Sequence, residues 1–311
     1  MDELAQSLEA FGPWDWACVI ANLLAAIVGI FALKCWRNLP GKPASPTISA
    51  SDAVIGLCTG LVAFGLIFGV VTGIVAQSFS TYFGFSQAHL FTAAFSGQVA
   101  AAGAMLIMGA LAPRTLDWAP SVETEQARTE ASPLRQAVQG FSLPRVLLGL
   151  LSIFALGLAA TLVWKGFHVT WEQLFLRGWT GQPPADEPQE IVDAVLKTDV
   201  DTWRFFTIAL AVTIGAPIME ELAFRGMIYP GLRRLGSAAE THGRWIAVVL
   251  TGGLFSAAHQ SPSAALPLFA FGAFMCLVRD RYGLLTCMAI HCSFNTWNLV
   301  WLKLAPNAST L

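Results

Sequence analysis

Apolar runs separated by charged or proline-bearing stretches recur along the whole chain, and about eight of them approach the roughly 20 residues a helix needs to cross hydrocarbon. They fall near 15–35, 53–76, 88–111, 145–165, 203–224, 245–260, 264–279 and 283–304. The sixth and seventh are short, as suits tilted, broken or shielded helices. The pattern predicts an all-α fold, a polytopic integral membrane helix bundle of about eight transmembrane helices. It divides into about three N-terminal transmembrane helices in 1–112, a cytoplasmic linker at 113–144, a transmembrane helix plus extramembrane loop at 145–202, and a transmembrane core at 203–305.

Composition agrees with the pattern: the 311 residues are 55% hydrophobic and only 12% charged, with 11 Trp. Such a chain is a multi-pass membrane protein. The net charge of -2 reflects charges sorted by loop, and nucleic acid is not an expected partner. Lys34, Arg37, Lys42, Arg114, Arg128, Arg135, Arg145, Arg225, Arg233, Arg234, Arg244, Arg279 and Arg281 share one side when the loops are alternated, 13 of 18 basic residues. The positive-inside rule makes that side cytoplasmic and turns both termini outward.

The first residues are acidic, with Asp2, Glu3 and Glu9, so the first apolar run is expected to stay as a helix and not to be a cleaved signal. The six Cys lie in or beside apolar segments without the spacing of a disulfide scaffold or zinc knuckle, and read as small packing residues. Residues 113–144 read as a linker of low order, and residues 190–197 as a short amphipathic helix on the outer face. Gly56, Gly60, Gly65, Gly69 and Gly73 would let a neighbouring helix of the bundle approach closely.

Chemistry concentrates in the last third. Glu220-Glu221-Leu-Ala-Phe-Arg225, Phe255-Ser-Ala-Ala-His259 and His291-Cys-Ser-Phe-Asn295 all sit in apolar stretches. Ionisable groups at membrane depth are costly, and they mark function by default. Glu221 and Arg225, four residues apart, share a helix face and can neutralise each other. Glu220 is rotated from Glu221 by about 100° and is left to face the bundle interior, where a carboxylate can act as general base. Phe255 can pack on His259 one turn on. His291 and Asn295 repeat the spacing, either as an interhelical polar clamp or as donors to an oxyanion.

Depth bears on the choice. At ~1.5 Å per residue, Glu220 lies ~21 Å from Arg234, His259 ~22 Å from Arg244, His291 ~15 Å from Arg281 and Asn295 ~21 Å from Arg281. Three helices therefore bring polar groups to a similar level. His89, His168 and His242 lie near span ends or in loops and receive no role.

Glu-Glu-x3-Arg, Phe-x3-His and His-x3-Asn, in this order on successive membrane helices, resemble the CAAX-processing and bacteriocin-processing (CPBP) intramembrane endopeptidases, the type II CAAX prenyl endopeptidases and their bacterial relatives. The resemblance covers roughly 200–305. It implies a membrane-embedded peptidase with a glutamate-activated water and makes Glu220, His259, His291 and Asn295 the catalytic set. Glu220 and His259 would hold the water, His291 and Asn295 would stabilise the oxyanion, and Glu221, Arg225 and Phe255 would support them. The expected partners are a peptide or protein substrate, prenylated or not, and membrane lipid. The expected location, for a bacterial protein, is the inner cell membrane.

No cofactor is required by this reading. An alternative enzyme would bind zinc through Glu220, His259 and His291, a metalloprotease without the usual His-Glu-x2-His helix. A non-catalytic alternative is a membrane immunity or peptide-binding protein, since bacterial relatives of this family are associated with bacteriocin self-immunity.

Overall fold

The computed structural model describes residues 12–21, 23, 24, 27, 49–83, 87–112, 115, 116, 171, 202–236, 240–262 and 264–304. Among them there is no strand. The expected span at 145–165, the linker at 113–144 apart from Thr115 and Leu116, the 190–197 helix and most of the 15–35 span lie outside the described residues.

The helices are numbered here in chain order. Helix α1 runs through Ala50–Val62, a wide π-turn Ala63–Ile67 and Phe68–Phe83. Ser49 caps its start, accepting from the Asp52 amide, which satisfies one of the donors a helix start leaves open. Helix α2 is Gln87–Leu111. Helix α3 is built from Thr202–Leu210, Ala211–Gly215, Ala216–Glu221, Leu222–Ile228 and Tyr229–Leu235, the second and fourth pieces being π-turns. Helices α4, Glu240–Ala258, and α5, Ala265–Tyr282, precede α6, Leu284–Leu304. Ala50–Thr81, Phe91–Leu111 and Phe205–Leu235 are long and apolar enough to cross a membrane by length and composition. The count of eight is not established by these three.

Helix α3 is the hub. Its last turns pack on the first half of α1, its first half on α2 and α6, and its middle also meets α4 and α5. The sequence pattern ends this span at 224, but the helix continues to Leu235 despite Pro217 and Pro230. The π-turns explain this. Ala216 N–H bonds Ala211 O, and Tyr229 N–H bonds Phe224 O, each reaching back five residues. Each proline follows immediately, so a local change of register absorbs the residue that lacks an N–H.

Close approaches hold the hub in place. A side chain at Gly60 would meet Ala223 O at 3.2 Å and Ile228 at 3.0 Å, whereas Gly65, Gly69 and Gly73 have nothing within 4 Å among the described residues. Among the described residues, the packing surface of the glycine run is its first part. Gly252 and Gly272 let α4 and α5 touch backbone to backbone, the Cβ position of Gly272 lying 3.0 Å from Gly252 Cα. Gly283, at φ 80°, joins α5 to α6 as a single residue in a conformation that side-chain-bearing residues rarely adopt. Met105, Met219, Leu222, Phe224, Phe255 and Ile290 lie in the core around α3.

Candidate active site

The α-helical piece of α3 that carries Glu220 opens with Ala216 and Pro217, and both glutamates are buried. Glu221 and Arg225 form an ion pair of 2.9 Å with both side chains fully shielded. Arg225 also donates to Gly272 O at 3.0 Å and lies 4.6 Å from the Phe255 ring centre. The glycine contact between α4 and α5 brings that carbonyl within reach. One guanidinium therefore ties α3 to both neighbours, and a buried charge is tolerable because it is paired and hydrogen-bonded.

Glu221 has a second partner. His291 Nδ1 stands 2.8 Å from Glu221 Oε1, the same oxygen that accepts from Arg225. A carboxylate held by a guanidinium can only accept, so Nδ1 carries the proton and donates. His291 Nε2 is then turned to Glu220 Oε2, 3.8 Å away, about 1 Å beyond hydrogen-bond distance. Glu220 Oε2 is buried with no hydrogen-bond partner among the described residues. Neutral His291 presents an acceptor at Nε2, and the imidazolium presents a donor; Glu221 accepts from Nδ1 in either state.

His259 is anchored in a parallel way. Its Nδ1 is 2.8 Å from Phe255 O, and because a carbonyl only accepts, Nδ1 donates and Nε2 is presented outward. The Phe255 ring stands 4.7 Å from the His259 ring and 6.1 Å from the His291 ring. One aromatic side chain therefore packs on both imidazoles. Phe271 meets His291 edge to face, with ring centres 5.0 Å apart. Trp171 donates to Pro262 O at 2.7 Å, fastening the turn just after His259.

Asn295 meets α3 at a different level, donating from Nδ2 to Val212 O at 2.8 Å. One of its two amide hydrogens is committed there. Glu220, Glu221, Arg225, Phe255 and His291 thus make one contiguous cluster, with His259 across the Phe255 ring and Asn295 at the first π-turn. Sequence reasoning passed over Gly272, whose carbonyl serves Arg225, and Phe271. The small residues Gly252 and Gly272 at a helix crossing were the available signal. Among the described residues no group of three His, Cys, Asp and Glu is arranged to hold a metal ion.

Residues 202–297 match the family model of type II CAAX prenyl endopeptidases, Rce1-like. Over that segment the chain is similar to the CAAX prenyl endopeptidases. The matched segment is 96 of 311 residues, and it holds every residue of the cluster. No curated protein and no solved structure matches the chain. That match, together with three helices long and apolar enough to cross a membrane, points to a protease of the membrane that acts on a membrane-associated peptide or protein.

A second polar centre lies apart from the cluster. Asp280 accepts from Tyr229 Oη at 2.9 Å, Arg233 at 2.7 Å and Arg244 at 2.9 Å. It joins the end of α3 to α4 and α5. It ties α3 and α4, the helices that carry Glu220 and His259, to α5.

Proposed function

We propose that this protein is a multi-pass intramembrane endopeptidase that cleaves near the C-terminus of a lipidated or membrane-associated substrate, with Glu220 as the general base. The observation that carries the reading is the convergence of Glu220, His291 and the Glu221–Arg225 pair in one shielded cluster. Such a buried, mutually braced set is expensive as mere packing and suits chemistry that needs fixed donors and acceptors.

In the proposed reaction a water lies against Glu220 and the outward Nε2 of His259. Glu220 takes one of its protons as the oxygen attacks the scissile carbonyl carbon. The resulting oxyanion accepts from Nε2–H of His291 in its imidazolium form, with the second amide hydrogen of Asn295 as a further donor; losing such a donor typically slows catalysis by about 10²–10³-fold. Glu220 then returns its proton to the leaving nitrogen as the carbon–nitrogen bond breaks. Glu221 accepts from His291 Nδ1 throughout, while Arg225 holds Glu221 in place. This mechanism needs no metal.

The test is direct. Purified protein in detergent or liposomes is offered prenylated CAAX-type peptides and their unlipidated counterparts, and products are identified by mass. A single cut near the C-terminus supports the reading, and preference between the two sets defines the substrate. Binding of peptide without any cleavage would transfer the site to a binding or immunity role.

A further inference from the structure

The first π-turn of α3 poses a bonding problem that the fold solves with a side chain. Ala216 N–H reaches back to Ala211 O. In the same register the next residue would bond Val212 O, but that residue is Pro217 and has no N–H. The carbonyl of Val212 instead accepts from Asn295 Nδ2 at 2.8 Å. In an ordinary α-helical register Ala216 N–H would take the Val212 carbonyl, and the amide of Asn295 would be redundant.

Register matters because each π-turn adds a residue to a turn, and residues beyond it rotate by about 100° relative to those before it. Glu220 is three residues past Pro217. Asn295 is one turn past His291 on α6, so that helix grips α3 at two levels, at the π-turn through Asn295 and at the glutamates through His291. The partner of Glu220 and the device that orients Glu220 are thereby carried on one rigid helix.

We propose that Asn295 is a positioning residue for Glu220: its amide supplies the hydrogen bond that Pro217 cannot make and so locks the register at which Glu220 faces His291. This rests on Glu220 being the catalytic base, but the lock itself is a property of the fold. It acts through the backbone of α3 and is separate from any contact with the reacting atoms.

Pro217→Ala restores the missing backbone N–H, which gives the test. Asn295→Ala in the wild-type background should lower Tm by about 2–4 °C, the loss of one buried hydrogen bond. It should lower kcat by about 10²-fold or more while KM changes little, because the misplaced base adds to the loss of an oxyanion donor. In the Pro217→Ala background the same removal should cost less in both readouts, because the backbone N–H restored at position 217 can serve the Val212 carbonyl. Asn295→Asp, which presents only acceptors to a carbonyl, should lose Tm like the alanine variant. Equal losses of Tm and kcat in the two backgrounds would overturn the proposal. So would a fall in kcat on Asn295→Ala with Tm unchanged, since the amide would then act on the reacting atoms alone. If the wild type cleaves no peptide, the peptidase reading fails, and the Tm values of the two backgrounds, each with and without Asn295→Ala, still decide whether the lock exists.

Discussion

Replacing Arg225 by alanine removes three interactions at once. The guanidinium donates to Glu221 and to Gly272 O and lies over Phe255, and both members of the ion pair are fully shielded. Taking one partner from a buried pair and leaving the other charged costs about 3–5 kcal/mol. The orphaned Gly272 carbonyl adds about 1–3 kcal/mol, although terms in one network do not simply add. With about 4 kcal/mol as a working figure and ~2–4 °C per kcal/mol, Tm should fall by about 8–16 °C. The assay is thermal unfolding in detergent followed by tryptophan fluorescence. The paired substitution Glu221→Leu with Arg225→Met removes both charges, and most of the lost Tm should return, because apolar replacements of a buried pair are commonly tolerated. Activity should not return, since His291 Nδ1 has lost its acceptor. An Arg225→Ala protein that melts within about 2 °C of wild type would refute this reasoning, and a fully active double variant would refute the tie between Glu221 and His291.

Further outcomes follow from other contacts. Gly60→Ala should destabilise the protein, because its Cβ would press on Ala223 O and Ile228, whereas Gly69→Ala, with nothing within 4 Å of its Cβ position among the described residues, should cost less; paired melts check the contrast. Asp280→Ala leaves Arg233 buried beside Arg244 without their shared carboxylate and should cost about 3–5 kcal/mol, read as a lower Tm with activity lost in step with folded protein. Treatment with a strong chelator, followed by metal analysis and a peptide cleavage assay, should leave the rate unchanged; activity lost to the chelator and restored by zinc would favour the metalloprotease alternative.

Parts of this arrangement were readable from spacing alone. Glu221 and Arg225 stand four apart, and they are paired; Phe255 and His259 stand four apart, and their rings are in contact. Local periodicity fixes which residues share a face of one helix. It does not say which other helix that face meets, so the bond from His291 to Glu221, 70 residues away, was out of reach. Sequence reasoning set Glu220 with His259 about a water and did not foresee that His291 Nε2 stands 3.8 Å from Glu220 Oε2. The continuation of α3 to Leu235 was also hidden, because proline reads as a stop unless the preceding turn widens to receive it. Asn295 was legible as a polar residue on the face of His291, but its attachment to Val212 depends on that same widened turn. The apolar runs at 53–76, 88–111 and 203–224 correspond to helices able to cross a membrane, and those near 245–260, 264–279 and 283–304 to α4, α5 and α6.

The central claim is that Glu220 performs the chemistry, and Glu220→Gln tests it most directly. The substitution keeps shape, and Glu220 Oε2 has no hydrogen bond among the described residues to lose, so Tm and peptide binding should stay near wild type. Single-turnover cleavage of the best peptide substrate is the measurement. A fall of about 10²-fold or more, with folding and binding intact, is the predicted result. Cleavage by the glutamine variant at the wild-type rate would contradict the account.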